Sequence, residues 1–323
     1  MAARGDSTWM DAAAAIAMRG RPLARPNPAV GALLVKEGRV VARGWTQPGG
    51  RPHAEAMALA AAGDAAKGAT LFVTLEPCAH VSERGPSCTS LVAKAGLARV
   101  VIGCEDPDLR TAGQGIAMLR QAGLAAECLE SASARRSLEG YLTRAQRGRP
   151  HVTLKLATSL DGKIALPSGE SRWITGRQAR AHTHAMRARA DAILVGGGTL
   201  RTDAPQLDVR LPGLEDRSPA RWVLTRDTAP EGWRAVRDIM APGAFGDAQY
   251  LFVEGGAETA ATFMAADMVD RMLIYRAPIV LGAGLPCIGD IGLDNLTDAH
   301  GRWVHSDQRL LGSDTLDVYE RAR

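Results

Sequence analysis

The chain has 323 residues, 46% of them hydrophobic, and a formal net charge of only +4 at pH 7. This length favours two domains, and the apolar content is sufficient for two hydrophobic cores. No stretch approaches the length of a membrane span, and the arginines are scattered rather than gathered in basic runs, so we expect no membrane or nucleic-acid partner and favour a small anionic ligand. Five cysteines, an odd number in a chain without a recognisable leader, indicate a reducing, cytoplasmic location.

The first half of the chain alternates between helix and strand periodicity. The pair Glu37-Gly38 between two apolar runs indicates a hairpin. These signals predict a three-layer α/β domain over residues 1–147, which ends where glycine and proline interrupt a charged stretch at Arg144–Pro150. The predicted elements are a helix at Ala12–Arg19, strands at Ala29–Lys36 and Val40–Trp45, a helix at His53–Ala62, a strand at Ala69–Leu75, a helix at Cys88–Ala95, a strand at Arg99–Gly103, a helix at Gly113–Ala122 and a strand at Leu124–Cys128.

The second half, residues 151–323, restarts with an apolar strand. Two later strands run into glycine-rich turns, "GGGT" and "EGG", where a backbone can approach a ligand closely, although an ordinary tight turn explains each of them equally well. Neither has the G-x-G-x-x-G spacing, so a Rossmann fold is not supported. The predicted strands are His151–Thr158, Asp191–Thr199, Arg221–Thr225, Gln249–Glu254 and Arg271–Arg276, and the predicted helices are Arg177–Ala188 and Glu258–Ala266.

A metal site is predicted from four residues of the first half. His53 and Glu55 lie at the start of a helix, and Cys78, which follows a proline, is succeeded by Cys88. One imidazole and two thiolates bind Zn²⁺ and leave a fourth position for water, whose pKa falls from 15.7 towards about 7. Glu55 is then placed to carry the proton of that water to a ring nitrogen and to departing ammonia. The order His-x-Glu, Pro-Cys, Cys is typical of zinc-dependent deaminases.

Simpler explanations exist for each of these residues taken singly. A histidine on a helix is usually structural, and two separate cysteines can fill a core. Found together in this order, they favour zinc, and a purely structural zinc site normally has four protein ligands rather than three. His80 is a fourth ligand in principle, but its position two residues after Cys78 makes contact with the substrate the better interpretation.

Four segments of the first half resemble the deaminase half of the bacterial bifunctional riboflavin-biosynthesis family RibD: "RPNPAVGALLV", "HAEAMAL", "TLEPCAH" and "GPSC". The resemblance implies a cytidine-deaminase-like fold and implies that Asn27 holds the pyrimidine, although Asn27 between two prolines also suits a plain turn. The loop between Cys78 and Cys88 is one residue longer than is typical of the family. The basic residue that the family places near the substrate phosphate is therefore shifted, and Arg84 is its candidate.

Residues 151–323 resemble the reductase half of the same family, which has a dihydrofolate-reductase-like α/β fold. The matching segments include "LKLATSLDGKIA", "SGESRWITG", "MRARADAILVGGGTLRTDAPQLDVR" and "VEGGAETA". The resemblance implies NADPH contacts from Ala157, Trp173, Thr199, Asp203 and the turn containing Gly256. It implies substrate contacts from Ser171, Arg187, Leu207, Arg210 and Glu254. Lys155 and Asp203 are either proton carriers near the carbon that receives hydride or ordinary ion-paired charges.

The family thus implies a bifunctional enzyme that deaminates 2,5-diamino-6-ribosylamino-4(3H)-pyrimidinone 5′-phosphate and then reduces its ribosyl group to ribityl with NADPH; a homo-oligomer is the family expectation. Residues 226–250 are shorter than the family's corresponding stretch, which leaves an alternative open. In that alternative, a deaminase of pyrimidine nucleotides or nucleic-acid bases carries a C-terminal binding or dimerisation module. A third alternative is a scaffold with structural zinc. The aromatic content of 4% argues against nucleic acid, and Glu55 argues against a structural zinc.

Overall fold

Each half of the chain folds as a compact unit. The computed structural model of the chain describes residues 4–80 and 85–323, and it divides into Met1–Arg149 and Pro150–Arg323. Both units have a core of buried apolar side chains. Among the described residues, no helix combines the length and the apolar character that crossing a bilayer requires.

The first unit is built around a mixed five-stranded sheet. Its strands are β1 (Gly31–Lys36), β2 (Arg39–Trp45), β3 (Thr70–Val73), β4 (Arg99–Ile102) and β5 (Ala125–Cys128). Its described helices are α1 (Arg4–Ala17), α2 (Ala54–Ala62), α3 (Cys88–Lys94), α4 (Gln114–Gln121), α5 (Ala132–Ser137) and α6 (Glu139–Arg147). The strand order is β2-β1-β3-β4-β5, with β1 antiparallel to both neighbours and β3, β4 and β5 parallel.

Side chains alternate between the two faces of this sheet, because successive residues of a strand point in opposite directions. Leu33 and Phe72 belong to a cluster with α1 and α5. Leu34 and Leu71 belong to a second cluster, on the face covered by α2, α3 and α4. The predicted three-layer α/β arrangement is therefore confirmed.

Two glycines allow helices to lie close to the sheet. A Cβ atom on Gly31 of β1 would collide with the carbonyl oxygen of Ala13 in α1, and a Cβ atom on Gly44 of β2 would collide with that of Ala54 in α2. Such an approach requires a residue without a side chain. Gly44 consequently sets the distance between the sheet and the start of α2, where the predicted metal-binding histidine lies.

The second unit contains an eight-stranded sheet in the order β10-β9-β8-β11-β6-β12-β15-β14 and a two-stranded sheet, β13-β7. These strands are β6 (His151–Thr158), β7 (Lys163–Ala165), β8 (Ala192–Gly196), β9 (Ala220–Leu224), β10 (Trp233–Val236), β11 (Tyr250–Val253), β12 (Arg271–Arg276), β13 (Leu285–Pro286), β14 (Trp303–Leu311) and β15 (Asp314–Arg321). The helices are α7 (Arg177–Arg187), α8 (Gly197–Asp203) and α9 (Ala257–Ala265). The strands from β10 to β12 are parallel, and β15 and β14 close the sheet as an antiparallel hairpin.

The structure differs from the sequence expectations in several places, including elements without a prediction such as α5, α6, β14 and β15. α1 begins at Arg4 rather than Ala12, with the favourable acidic residue Asp6 in its first turn. The strand predicted at Asp191–Thr199 is wrong beyond Gly196. Gly196 is the last extended residue and caps α8, which begins at Gly197, so Thr199 is helical. Residues 226–250 contain the edge strand β10 and otherwise turns, so this short segment keeps a strand beside β9.

Candidate active sites

Three elements of the first unit bring a histidine and two cysteines together. His53 is the extended residue that precedes α2, Cys88 is the first residue of α3, and Cys78 lies in the loop after β3. The distance from His53 Nδ1 is 3.3 Å to Cys88 Sγ and 3.7 Å to Cys78 Sγ. All three potential ligand atoms lie within 4.8 Å of one another, and among the described residues this is the group that could hold a metal ion.

The electrostatics of this group favour a cation. A hydrogen bond from the Cys88 thiol, together with those from His53 and the Cys88 amide, lowers the pKa of Cys78 to about 4. The Cys88 amide lies 3.3 Å from Cys78 Sγ. The same hydrogen bond raises the pKa of Cys88, so Cys78 is the more acidic thiol of the pair. The nitrogen and sulfur donors fit Zn²⁺ with one coordination position left open.

Glu55 lies two residues beyond the histidine and faces the same site. It is buried, with 3% of its surface exposed, and burial raises the pKa of its carboxyl above the ordinary value. A carboxyl group at this place can accept a proton and return it, as a deaminase requires.

These residues border a cavity of about 530 Å³. Asn27, His53, Glu55, Cys78 and His80 all line it. Asn27 Nδ2 donates to the Gly50 carbonyl oxygen at 3.1 Å, and His80 Nδ1 is a buried atom without a hydrogen-bond partner in the described part of the chain. Arg84 lies outside the described residues.

Several lining residues were not among the sequence candidates, and the most informative is Glu76. Its carboxylate accepts hydrogen bonds from the amides of Asp106, Gly113 and Ile116 at 3.2, 3.0 and 3.1 Å. Glu76 thereby joins the strand end that carries Cys78 to residues 106–113, which form one wall of the cavity. The signal available in the sequence was its place inside "TLEPC". The other charged or aromatic lining residues without a sequence signal are Arg51, Asp106, Asp108, Arg110 and Tyr141.

A buried ion cluster lies in the second unit where β11 ends. Arg187 of α7 donates two hydrogen bonds to the Glu254 carboxylate, at 2.6 and 3.0 Å, and Lys155 Nζ of β6 lies 3.7 Å from it. Burial alone would raise the pKa of Glu254, but the charges of Arg187 and Lys155 lower it below its ordinary value. Burial lowers the pKa of Lys155.

The segment that contains Leu207 and Arg210 is attached to the same cluster. Arg187 Nη1 donates to the Asp208 carbonyl oxygen at 2.9 Å, while Arg210 Nε donates to the Asp208 carboxylate at 2.9 Å. Leu207 is buried and has a positive φ of 56°. The structure therefore brings together Lys155, a candidate proton carrier, and four of the residues that the family resemblance assigns to the substrate: Arg187, Leu207, Arg210 and Glu254.

The residues predicted to contact NADPH lie around α8, α9 and the loop before α7. Thr199 Oγ1 is 3.8 Å from the place that a Cβ atom on Gly256 would take, so the two glycine-rich turns are neighbours. Arg172 Nη2 donates to the Asp203 carbonyl oxygen at 2.9 Å, which attaches the loop of Ser171 and Trp173 to α8. Trp173 is 68% exposed. Ala157 lies on β6, beside β11 and β12.

This part of the second unit fits a dinucleotide. Gly256 precedes α9, and the first amides of that helix have no partner within the helix, which suits a pyrophosphate. A cavity of about 540 Å³ lies beside α8, β9 and β10, with Leu200, Thr225 and Trp233 in its lining.

Comparison with known proteins gives matches for both units. Residues 3–104 match the cytidine and deoxycytidylate deaminase zinc-binding region, and residues 150–310 match the RibD C-terminal domain. The chain is 36% identical to the riboflavin biosynthesis protein RibD of Aquifex aeolicus, over 91% of this chain and 92% of that protein. It is also 36% identical to RibD of Escherichia coli, over 91% of this chain and 94% of that protein.

Solved structures agree with these matches over the whole chain. The structure is similar to Acinetobacter baumannii RibD, with a TM-score of 0.86 and 31% identity over 98% of this chain and 99% of that one. The diaminohydroxyphosphoribosylaminopyrimidine deaminase/5-amino-6-(5-phosphoribosylamino)uracil reductase of Thermotoga maritima gives a TM-score of 0.86 and 30% identity over the same shares. The match to the RibD C-terminal domain favours a reductase over a binding or dimerisation module in the second unit.

Proposed function

We propose residue roles for both reactions from the premise that this chain belongs to the RibD family, whose members combine a zinc-dependent deaminase with an NADPH-dependent reductase. The chain is accordingly a bifunctional enzyme of riboflavin biosynthesis. Its proposed first substrate is 2,5-diamino-6-ribosylamino-4(3H)-pyrimidinone 5′-phosphate. The observation that carries the proposal is the convergence of His53, Cys78 and Cys88 beside the buried Glu55.

In the deaminase unit, His53, Cys78 and Cys88 would hold Zn²⁺, which supplies a Lewis acid that makes water nucleophilic at neutral pH. Glu55 takes a proton from that water and gives it to the pyrimidine ring nitrogen. As the C2–O bond forms, Glu55 takes the second proton, from the new hydroxyl oxygen, and passes it to the exocyclic amino group. The bond between C2 and that nitrogen then breaks, ammonia leaves and a C2 carbonyl remains. Asn27 would hold an edge of the pyrimidine through its amide, and His80 and Arg84 would contact the remainder of the substrate.

In the reductase unit, NADPH would be held by Ala157, Trp173, Thr199, Asp203 and Gly256, and it supplies a hydride to C1′ of the ribosyl group. The C1′–O4′ bond breaks, and O4′ takes a proton for which Lys155 and Asp203 are the candidate donors. Ser171, Arg187, Leu207, Arg210 and Glu254 would contact the substrate. Arg187 is buried, with two of its donors on Glu254, whereas the Arg210 side chain is 58% exposed and contacts Asp208 through Nε. Arg210 is therefore the better placed guanidinium for phosphate, to which arginine can donate in a bidentate manner.

The experiment that tests the proposal measures ammonia release and NADPH oxidation separately on the pyrimidine phosphate, with cytidine as the control substrate. We expect both activities on the pyrimidine phosphate and none on cytidine. Ammonia release from cytidine alone would instead favour a nucleoside deaminase. A cytoplasmic location and a homo-oligomeric state are also proposed, on the cysteine content and on the family resemblance.

A further inference from the structure

The deaminase cavity is lined by both carboxyl and guanidinium groups. Three carboxyl groups in its lining belong to buried residues, Glu55, Glu76 and Asp106. Two guanidinium groups, those of Arg51 and Arg110, also line it. A phosphate monoester that entered the cavity would be repelled by the carboxylates and attracted by the guanidinium groups.

Arg110 is held in place by its own loop. Its Nε and Nη2 donate to the Asp108 carboxylate at 3.0 and 2.5 Å, and its amide donates to the same group at 3.0 Å. The Asp108 amide in turn donates to the Asp106 carboxylate at 3.0 Å. Within the described part of the chain, Nη1 of Arg110 makes no hydrogen bond, and 69% of the side chain is exposed. An arginine that is oriented in this way keeps donors available for an anion at the entrance of the cavity.

Arg51 lies two residues before the zinc ligand His53 and just ahead of α2, far from Arg110 in the sequence. Its Nη1 is 3.7 Å from the position that a Cβ atom on Gly85 would take, which places the guanidinium beside the chain that leads to Cys88. Arg51 and Arg110 therefore come from separate segments and border one cavity.

We propose that Arg110, with Arg51, binds the 5′-phosphate of the pyrimidine in the deaminase cavity. This inference rests on the proposed deaminase function and adds its phosphate specificity. Arginine suits the task because its planar group offers paired donors to phosphate oxygens, and charged hydrogen bonds of this kind are among the strongest in proteins. The inference is independent of Arg84, because Arg51 and Arg110 belong to segments of the chain outside that loop.

The test compares two substrates, the pyrimidine 5′-phosphate and its dephosphorylated nucleoside, in the zinc-loaded full-length enzyme. In Arg110→Ala we expect KM for ammonia release from the phosphate to rise about 10- to 100-fold, the worth of a charged hydrogen bond. We expect KM for the nucleoside to stay within about twofold, because the nucleoside has no group for Arg110 to bind. Arg51→Ala should show the same selectivity, and Arg110→Lys should recover part of the loss. Arg43→Ala, which removes an exposed arginine from β2 of the same unit, is the matched control and should leave both substrates unaffected.

Inorganic phosphate provides a second measurement. It should compete with the pyrimidine phosphate for the unmodified enzyme, leave nucleoside deamination much less affected, and inhibit Arg110→Ala about tenfold more weakly. Equal losses on both substrates would overturn the inference and make Arg110 a structural residue, and unchanged kinetics would place the phosphate elsewhere. Absence of ammonia release by the unmodified enzyme would instead overturn the deaminase function itself.

Discussion

The carboxylate of Glu76 offers the sharpest test of how the deaminase cavity is built. It accepts hydrogen bonds from three backbone amides. Oε2 accepts those of Asp106 and Gly113, and Oε1 accepts that of Ile116. Gly113 and Ile116 lie at the start of α4, where amides have no partner within the helix. Glu76 is therefore a capping acceptor that is supplied from another part of the chain.

The Glu76→Gln substitution keeps the size of the side chain but leaves one oxygen in place of two. That oxygen can keep the hydrogen bonds of two amides. The new NH₂ group then faces the third amide, and because both are donors, neither finds an acceptor there. Losing a charged hydrogen bond costs about 1.5–3 kcal/mol, and an unsatisfied buried amide adds a similar penalty, so we expect a loss of roughly 2–4 kcal/mol. For a unit of this size that corresponds to a fall in Tm of roughly 5–15 °C.

Calorimetry of the zinc-loaded protein measures this effect, with the transition of the first unit assigned by the loss of ammonia release after heating. Glu105→Gln is the matched control, because Glu105 is exposed and lies beside the same loop, and it should shift the transition by less than about 0.5 kcal/mol. A shift in Glu76→Gln no larger than in this control would refute the reasoning. It would mean that the three amides find other acceptors.

Three further predictions concern the proposed residue roles. Glu55→Gln should abolish ammonia release while zinc content by atomic absorption stays near one per chain; retained release would remove Glu55 as proton carrier. Arg210→Ala should raise KM for NADPH-dependent reduction and leave deamination intact, and equal damage to both activities would contradict the division of labour between the units. Glu254→Gln leaves the buried charges of Arg187 and Lys155 without their partner, so urea unfolding should show a loss of about 3–5 kcal/mol in the second unit at pH 7. Because the pKa of Glu254 is lowered, its contribution is present above the ordinary carboxyl pKa and disappears as the pH falls through the lowered value, so the difference between this variant and the unmodified chain should shrink in acid.

Much of the fold could be predicted because the buried strands are strongly apolar. β6 and β12 match their predicted ranges, and the Glu37-Gly38 hairpin is confirmed, both residues having positive φ. β14 escaped prediction because it is largely exposed and carries polar residues along its length, so it has no apolar period. The prediction was wrong for the first three residues of α8, Gly197–Thr199, which were predicted as strand because the glycines at 196–198 carry no periodic signal of their own.

The candidate sites were predictable to different extents. His53, Glu55, Cys78 and Cys88 occur in an order that few chains share, and zinc chemistry accounts for it. Arg110 has no comparable signal, because an arginine in a polar loop looks like any solvated charge until the fold brings it to the cavity. The loop that carries Arg110 is held by Glu76 through contacts between residues 30 and 37 positions apart, which neither spacing nor composition reveals.

Gly44 shows that sensitivity to substitution need not follow distance from the substrate. It is absent from the cavity lining, yet α2, which begins directly after His53, rests on its backbone. A single methyl group added at Gly44 would push the His53 imidazole and the Glu55 carboxyl outward together. Several residues within the cavity could change without moving either group. Natural variation in this enzyme should therefore be as restricted on the hidden underside of that helix as on the surface that meets the pyrimidine.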